Sequence, residues 1–364
     1  MKKYLRKILF WMNIVFSIAL IGSYTANYIN PEYFWYFAFF GLIYPVLLVI
    51  NVAYVIFWIW RKKWFFLLSF ITILSGWSNI GRIIQIRLFN RHREMYSDMK
   101  LLSYNVRLFN YYEWEKSETI RDSILQFVAH QNASVICFQE YMTTTDLPKY
   151  SEKHIDTVLK SLPYKHVFYV SKTSEYSNYG LATYSEYPIV RESSIRFNNS
   201  YNSCIYSDIK IGDDTIRFFN VHLQSIKLRK DNYLLVDSLS LRIDSRRINE
   251  VKDISGRLKL AYIKRAQQVD ELNWYIKHSP YPVVVCGDFN DTPVSYTYTR
   301  IRGKLTDAFL SSGKGAGNTY RGISPSFRID FIFHSKSIKS SDYQTHRVSL
   351  SDHYPISCML GMNP

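Results

Sequence analysis

Pro282-Val283-Val284-Val285-Cys286-Gly287-Asp288-Phe289-Asn290-Asp291-Thr292-Pro293 is the stretch on which the reading of this chain turns. The β-branched run Val283 to Val285 predicts a buried strand, and Gly287 ends it. Three polar side chains follow, Asp288, Asn290 and Asp291, before Pro293 stops regular structure. A strand end is a rigid mount, and in extended geometry Asp288 and Asn290 share one side. A carboxylate and an amide so placed can deprotonate a water and hold an anionic oxygen, the two needs of phosphoester hydrolysis. In isolation the stretch also reads as a polar hairpin turn, so the rest of the chain must decide.

The 364 residues are 47% hydrophobic and 17% aromatic, enough for a large core. The net charge of +15 suggests an anionic partner until it is located. Residues 1–93 hold eleven Lys and Arg and one acid, Glu32, so ten of those net charges sit there. The remaining chain is only mildly basic, which makes charge a weak argument for nucleic acid. Cys137, Cys204, Cys286 and Cys358 each lie within an apolar, strand-like run. Without CxxC or Cys/His spacing they read as buried free thiols and not as a zinc site.

Three uncharged runs open the chain, at 8–26, 33–60 and 64–81, the last made more polar by Ser69, Thr72, Ser75, Ser78 and Asn79. A spanning helix needs about 20 mainly apolar residues, so the first two qualify and the third is marginal. Tyr24, Tyr28, Tyr33, Trp35 and Tyr36 flank the turn at Asn30-Pro31-Glu32, in the manner of an aromatic belt. These runs predict membrane helices at about 8–26, 34–60 and 64–81. Lys and Arg bias places the N-terminus and the loop at Arg61-Lys62-Lys63 in the cytoplasm. With three spans, everything after residue 82 lies outside it, although Arg82, Arg87, Arg91 and Arg93 argue the other way; with the third run not spanning, the domain is cytoplasmic. The expectation is a multi-pass protein of the plasma (inner) membrane, residues 1–93 forming the anchor and linker and 94–364 a catalytic domain.

From Lys100 onward, short strands alternate with amphipathic helices. Strands are predicted at Leu101–Val106, Ser134–Glu140, His166–Val170, Leu181–Tyr184, Cys204–Ile211, Ile216–His222, Phe327–Phe333 and Tyr354–Leu360. Helices are predicted around Ile120–Val128 and Leu260–Ile276. Several apolar runs end in side chains of catalytic type: Asn105, Glu140, Asn220 with His222, Asp288 with Asn290, Asp330, and Asp352 with His353. Any one is ordinary turn chemistry; together they suggest a site along the edges of packed sheets.

Here the sequence resembles the endonuclease/exonuclease/phosphatase superfamily, with its deoxyribonuclease I-like fold. The resemblance rests on Ser103-Tyr104-Asn105-Val106-Arg107, Phe138-Gln139-Glu140, Asn220-Val221-His222-Leu223, Gly287-Asp288-Phe289-Asn290, Arg328-Ile329-Asp330-Phe331 and Ser351-Asp352-His353-Tyr354-Pro355-Ile356. It implies an α/β fold in which two facing sheets are flanked by helices, here preceded by a small transmembrane helical domain. By motif, Glu140 would be the main metal ligand, with Asn105 beside it and Asp352 near a second position. Oxygen donors of this kind suit Mg²⁺ or Mn²⁺. Asp288 would orient or deprotonate the attacking water, Asn290 would hold a phosphate oxygen, and His353, paired with Asp330, would contact the phosphate. His222 would stabilise or protonate the leaving side. The histidine in Asn220-Val221-His222-Leu223 is similar to deoxyribonuclease I, sphingomyelinases and several phosphatases, and departs from the abasic-site repair branch.

Residues 224–259 carry nine Lys and Arg and five Asp and Glu, with Leu235, Leu239 and Ile243 at helical spacing. They read either as a solvated insertion or as an amphipathic cap over the site or the membrane surface. The expected function is a membrane-anchored, metal-dependent hydrolase of a small or membrane-borne phosphoester. The alternatives are a nuclease acting on extracytoplasmic DNA or RNA and a non-catalytic tethered binding module. The bilayer and a phosphoester are the expected partners, nucleic acid is not favoured, and no protein partner is deducible.

Overall fold

The structure, a computed structural model, describes residues 3–87, 96–112, 119–172, 176–226, 245–322 and 326–362. Twelve strands form two six-stranded sheets. The first contains β1 (Tyr96–Asn105), β2 (Val135–Thr144), β3 (Tyr164–Lys172), β4 (Ser177–Ser185), β11 (Ile338–Thr345) and β12 (Ile356–Met362), in the order β11-β12-β1-β2-β4-β3. The second contains β5 (Ile189–Arg196), β6 (Ser203–Ile211), β7 (Asp214–His222), β8 (Val283–Asp288), β9 (Thr306–Asp307) and β10 (Asp330–His334), in the order β5-β6-β7-β8-β10-β9.

Each sheet has a parallel pair at its centre, β1 with β2 and β7 with β8, and antiparallel neighbours elsewhere. A parallel pair needs a long crossover. Helix Ile120–His130 lies within the first and helix Ser245–Lys277 within the second. Helices therefore cover both outer faces: Ile124, Leu125 and Val128 pack on the first sheet, Val269, Leu272 and Ile276 on the second. Between the sheets, Leu101, Cys137, Phe218, Val284, Cys286, Ile332 and Cys358 interdigitate. All four cysteines are buried and free.

A polar tie crosses this apolar middle. Asn220 Nδ2 on β7 donates to Phe138 O and Ala182 O on the opposite sheet, at 3.1 and 3.0 Å. Gln139 Nε2 returns a 2.7 Å bond to Asn220 Oδ1 and a 3.3 Å bond to Ser103 Oγ.

Several elements differ in extent from their predicted ranges. The strand expected from Phe327 begins only at Asp330, because Ile329 N and Asp330 N donate to Thr319 Oγ1 instead of to a ladder. The last strand begins at Ile356, just past Pro355, which has no N–H to offer. The long helix starts at Ser245, so the second part of the expected insertion is continuous with it. Leu235, Leu239 and Ile243 lie outside the described residues.

Ahead of the sandwich, helix Lys3–Thr25 is long and apolar enough to cross a membrane. The other two runs are broken, Tyr36–Leu42 meeting Tyr44–Trp60 at 65° and Phe66–Ser75 meeting Trp77–Ile83 at 67°. Each bend has a local cause. Pro45 stands at the start of one segment, and Gly76 at the other break leaves room that the Tyr24 ring fills. The polarity of this layer is inverted. Asn13, Ser17, Asn51 and Ser69 are buried and hydrogen-bond one another. Trp11, Val15, Ile18, Val49, Ile56 and Ile71 face outward.

The layer does not hang from a slack linker. Val294, just past the 282–293 stretch, packs in one cluster with Leu20, Tyr44 and Leu47. Arg82 is buried and donates to Asn27 Oδ1, Pro293 O and Thr299 Oγ1, while its carbonyl accepts from Arg328 Nη2 at 3.0 Å. Asn30 reaches Asp270 and Tyr296, and Gln85 forms a β-bridge with Gly315. Arg82→Ala in the full chain should therefore lower the midpoint of thermal unfolding in detergent by roughly 5–10 °C, since it leaves buried polar groups unpaired. Lys63→Ala, in an exposed loop, should leave the midpoint unchanged. Scanning fluorimetry of the two variants checks this.

Candidate active site

Strand register assembles the site. Across β7, β8 and β10, His222 pairs with Asp288 and Asp288 with Asp330, so three functional side chains stand in one row. On the facing sheet Asn105, the last residue of β1, pairs with Gln139. Glu140 follows at a break in the β2–β4 register, with φ of 51°. Such a bulge re-aims a side chain. Glu140 is partly exposed within an otherwise buried strand. At Gly287 the φ of 135° and the nearness of Val221 O leave no room for a Cβ, so glycine is what lets β7 and β8 close up before Asp288.

Asp288 is the hub. Its Oδ2 accepts from Asn105 Nδ2 at 3.0 Å and Asn290 Nδ2 at 3.1 Å, and its Oδ1 accepts from Asn290 N at 2.8 Å. Asn290 has φ of 52°, so it reaches Asp288 through a tight turn and not through the extended geometry expected. Its other amide contact goes to Leu223 O at 3.0 Å. With these donors engaged, Asn290 orients Asp288. Asp291 turns away altogether, accepting from Arg265 Nε and Thr297 Oγ1.

The two histidines are driven apart in charge. Burial disfavours a charged His353 ring, but Asp330 and Asp288 outweigh it and hold His353 well above the usual imidazole range. Its Nδ1 lies 2.9 Å from Asp330 Oδ2, and its Nε2 lies 3.6 Å from Asp288 Oδ2. Burial also governs His222, and with His353 nearby it lowers the ring's pKa despite Asp288. His222 Nε2 has no hydrogen-bond partner and stands 3.8 Å from Glu140 Oε1 and 3.7 Å from Asp288 Oδ2. Their surroundings thus favour charge on His353 and disfavour it on His222, whose Nε2 is left unpartnered.

The carboxylates crowd one another. Desolvation, together with Asp352 and Asp288, pushes Glu140 up to about 7, against the pull of His353 and Asn105. Asp288 is raised too, chiefly by burial, with Asp330 adding to the rise. Asn105 Nδ2 stands 3.4 Å from Glu140 Oε1. Asp352 meets Arg107 Nε at 3.3 Å, and Ser351 Oγ donates to Asn105 O, tying this loop to β1. Asp288, Asp330 and His353 also form a group compact enough to hold a metal ion, their ligand atoms within 4.8 Å of one another.

All eight expected residues, Asn105, Glu140, His222, Asp288, Asn290, Asp330, Asp352 and His353, therefore belong to one connected constellation. Sequence reasoning missed Arg107, Thr319, which supports the backbone at Asp330, and Tyr320, whose ring meets His353 edge-on at 5.3 Å. Arg107 did lie inside a quoted motif; Thr319 and Tyr320 carried no signal.

Two sheets flanked by helices, with carboxylates, amides and imidazoles gathered along their strand ends, define the phosphoesterase and nuclease-like class of α/β sandwiches. Residues 102–353 match the Endonuclease/Exonuclease/phosphatase family, and the chain belongs to it. Members of that family generally hydrolyse phosphoesters. Residues 6–83 match a domain of unknown function. An endonuclease/exonuclease/phosphatase from Beutenbergia cavernae DSM 12333 has a similar fold, with a TM-score of 0.54 at 14% identity over 74% of this chain and 72% of that one. A humanized D. rerio TDP2 gives 0.52 at 14% identity over 73% and 100%. The human Nocturnin catalytic domain with bound sulfate gives 0.50 at 16% identity over 73% and 95%. At such identities the likeness is one of fold. No curated protein sequence matches the chain.

If Asp330 acts only by holding His353, removing either disables the same unit. Asp330→Ala and His353→Ala should each lower turnover by about 10²–10⁴-fold. The double variant should be no slower than the slower single one. Additive losses in a double-mutant cycle would separate the two residues.

Proposed function

We propose that this chain is a membrane-anchored, metal-dependent phosphoric-ester hydrolase acting on a small or membrane-borne substrate. The observation that carries the catalytic part is the split pair of imidazoles around Asp288, one cationic beside Asp330 and one neutral with an unpartnered nitrogen. The membrane part is supported by the inverted polarity of the helical layer, apolar outside and hydrogen-bonded within.

The donor set fits a hard divalent cation. Glu140, raised to about 7 among Asp352 and Asp288, is short of positive charge on its open side. Glu140 and Asp352, with Asn105, would hold Mg²⁺ or Mn²⁺. When bound, such an ion polarises a phosphoryl oxygen and offsets its developing charge. Asp288, raised in basicity by burial and locked by Asn105 and Asn290, takes a proton from water as the water oxygen attacks phosphorus. His353, kept charged by Asp330, presents a cation to the phosphate. As the bond from phosphorus to the leaving oxygen breaks, His222, with its proton on the unpartnered Nε2, would donate a hydrogen bond to that oxygen, which takes its proton from solvent.

The topology follows from Lys and Arg bias: N-terminus cytoplasmic, catalytic domain outside, in the plasma (inner) membrane. Docking of the helical layer on the sandwich keeps the site close to the bilayer, which favours head-group or lipid-linked phosphates over dilute polymers. No described feature favours nucleic acid specifically.

The test uses the full chain in phospholipid nanodiscs with bis-(p-nitrophenyl) phosphate. Turnover should require Mg²⁺ or Mn²⁺ and vanish with EDTA. Glu140→Gln and Asp288→Asn should each reduce it by about a hundredfold or more. Near-wild-type rates in both, with metal replete, would remove the assignment. Rapid degradation of plasmid DNA without release of head-group phosphate from liposomes would make the enzyme a nuclease.

A further inference from the structure

A cavity of about 620 Å³ opens at the far end of β10 from the catalytic residues. Asp330 begins that strand in the active site, and His334 ends it in the cavity wall. Four residue steps separate them, about 13 Å along the strand. None of the catalytic candidates lines the cavity.

Its lining is basic and hydroxylic. Arg87, Lys314, Lys336 and Lys339 surround it, with Asp342 the one carboxylate in the wall. Lys314, Lys336 and Lys339 are exposed and have no acidic partner among the described residues. The wall is preorganised: Arg87 Nη2 donates to Leu310 O, and His334 Nε2 and Ser340 Oγ are 2.8 Å apart. The Gln85–Gly315 bridge pins the same corner. Cations gathered around a concavity favour the entry of an anion.

Position narrows the anion. Helix Trp77–Ile83 ends four residues before Arg87, so Arg87 lies within about 14 Å of the helix end even at full extension. On the reading that this helix belongs to the third span, the cavity stands at head-group height.

We propose that this cavity binds the phosphate of an anionic lipid headgroup, as a non-catalytic site that fixes the sandwich against the bilayer surface. The lipid source rests on the membrane reading given above; the anion chemistry does not. Four cations against one carboxylate suit a phosphate that brings no ammonium group of its own, so a phosphatidylglycerol-type headgroup fits and a phosphatidylcholine headgroup does not.

The experiment takes the full chain, detergent-purified and held in EDTA so that no lipid is hydrolysed. Calorimetric titrations use dihexanoyl phosphatidylglycerol, dihexanoyl phosphatidylcholine and inorganic phosphate. The variant carries Lys314→Glu, Lys336→Glu and Lys339→Glu, all exposed positions. Wild type should bind the anionic lipid about tenfold or more tightly than the zwitterionic one, and the variant should lose that preference. The variant should hydrolyse bis-(p-nitrophenyl) phosphate at the wild-type rate once metal is restored. Equal binding of the anionic lipid by wild type and variant would overturn the proposal, placing the lipid elsewhere, as would no preference over phosphatidylcholine. Inorganic phosphate bound as tightly as the lipid, with the same sensitivity to the three lysines, would overturn the lipid source and leave a free-anion site. A wild type that binds as expected yet never turns over substrate would sink the proposed catalysis and leave this site standing.

Discussion

The amide pair Gln139–Asn220 is the interaction on which the arrangement of the site depends. Both residues are fully buried between sheets whose middle is mostly apolar, with few other polar crossings such as His166–Ser207 and Asn105–Asp288. Asn220 binds the backbone of β2 and β4, and Gln139 binds Asn220 in return. Sliding one sheet over the other would strand these groups without water, at roughly 1–3 kcal/mol for each unsatisfied group. Apolar packing alone tolerates small shifts; directional bonds do not. Glu140 is the neighbour of Gln139, and His222 stands two residues beyond Asn220. The tie therefore sets the relative height of a carboxylate from one sheet and an imidazole from the other. Gln139 Oε1 is left without a partner, so the register comes with one buried unsatisfied acceptor.

The same logic explains why the site's charges differ so widely in character. Asp288, Asp330, Glu140 and Asp352 come from different strands or loops, and register brings them together. Burial and mutual repulsion raise Glu140 and Asp288, while the neighbouring carboxylates raise His353 against its burial. Burial, with His353 nearby, lowers His222. Side chains of like type are pushed to different acidities because their surroundings differ.

Much of this was legible in the chain itself. Val283–Val285 followed by Gly287 and Asp288 reads as a buried strand ending in chemistry, and that is what forms. Three strands escaped prediction: the two-residue β9, and β5 and β11, which read Ile-Val-Arg-Glu-Ser-Ser-Ile-Arg and Ile-Lys-Ser-Ser-Asp-Tyr-Gln-Thr. The last two lie at sheet edges with one side in solvent, where polar residues are tolerated and apolar alternation fades. Asn290 was expected in extended geometry because its positive φ is invisible in sequence. Tyr320 and Thr319 reach the site through tertiary folding alone. The breaks at Pro45 and Gly76 sit in uncharged runs that, by the absence of charge alone, read as unbroken helix. Only packing shows that Arg82 turns inward to the sandwich and not outward to head groups.

That inward turn has a mechanical consequence. A domain on a loose leash tumbles, and its mouth visits every angle and many heights above its support. Here Arg82, Val294 and the Gln85–Gly315 bridge clamp the sandwich by its helical flank, so tumbling is suppressed. The clamp also grips the chain a few residues beyond Asp288. On the membrane reading, the molecule works as a rigid bracket. The depth at which a scissile bond lies below its lipid or sugar head then becomes a ruler, and substrates would be sorted by length as much as by chemistry.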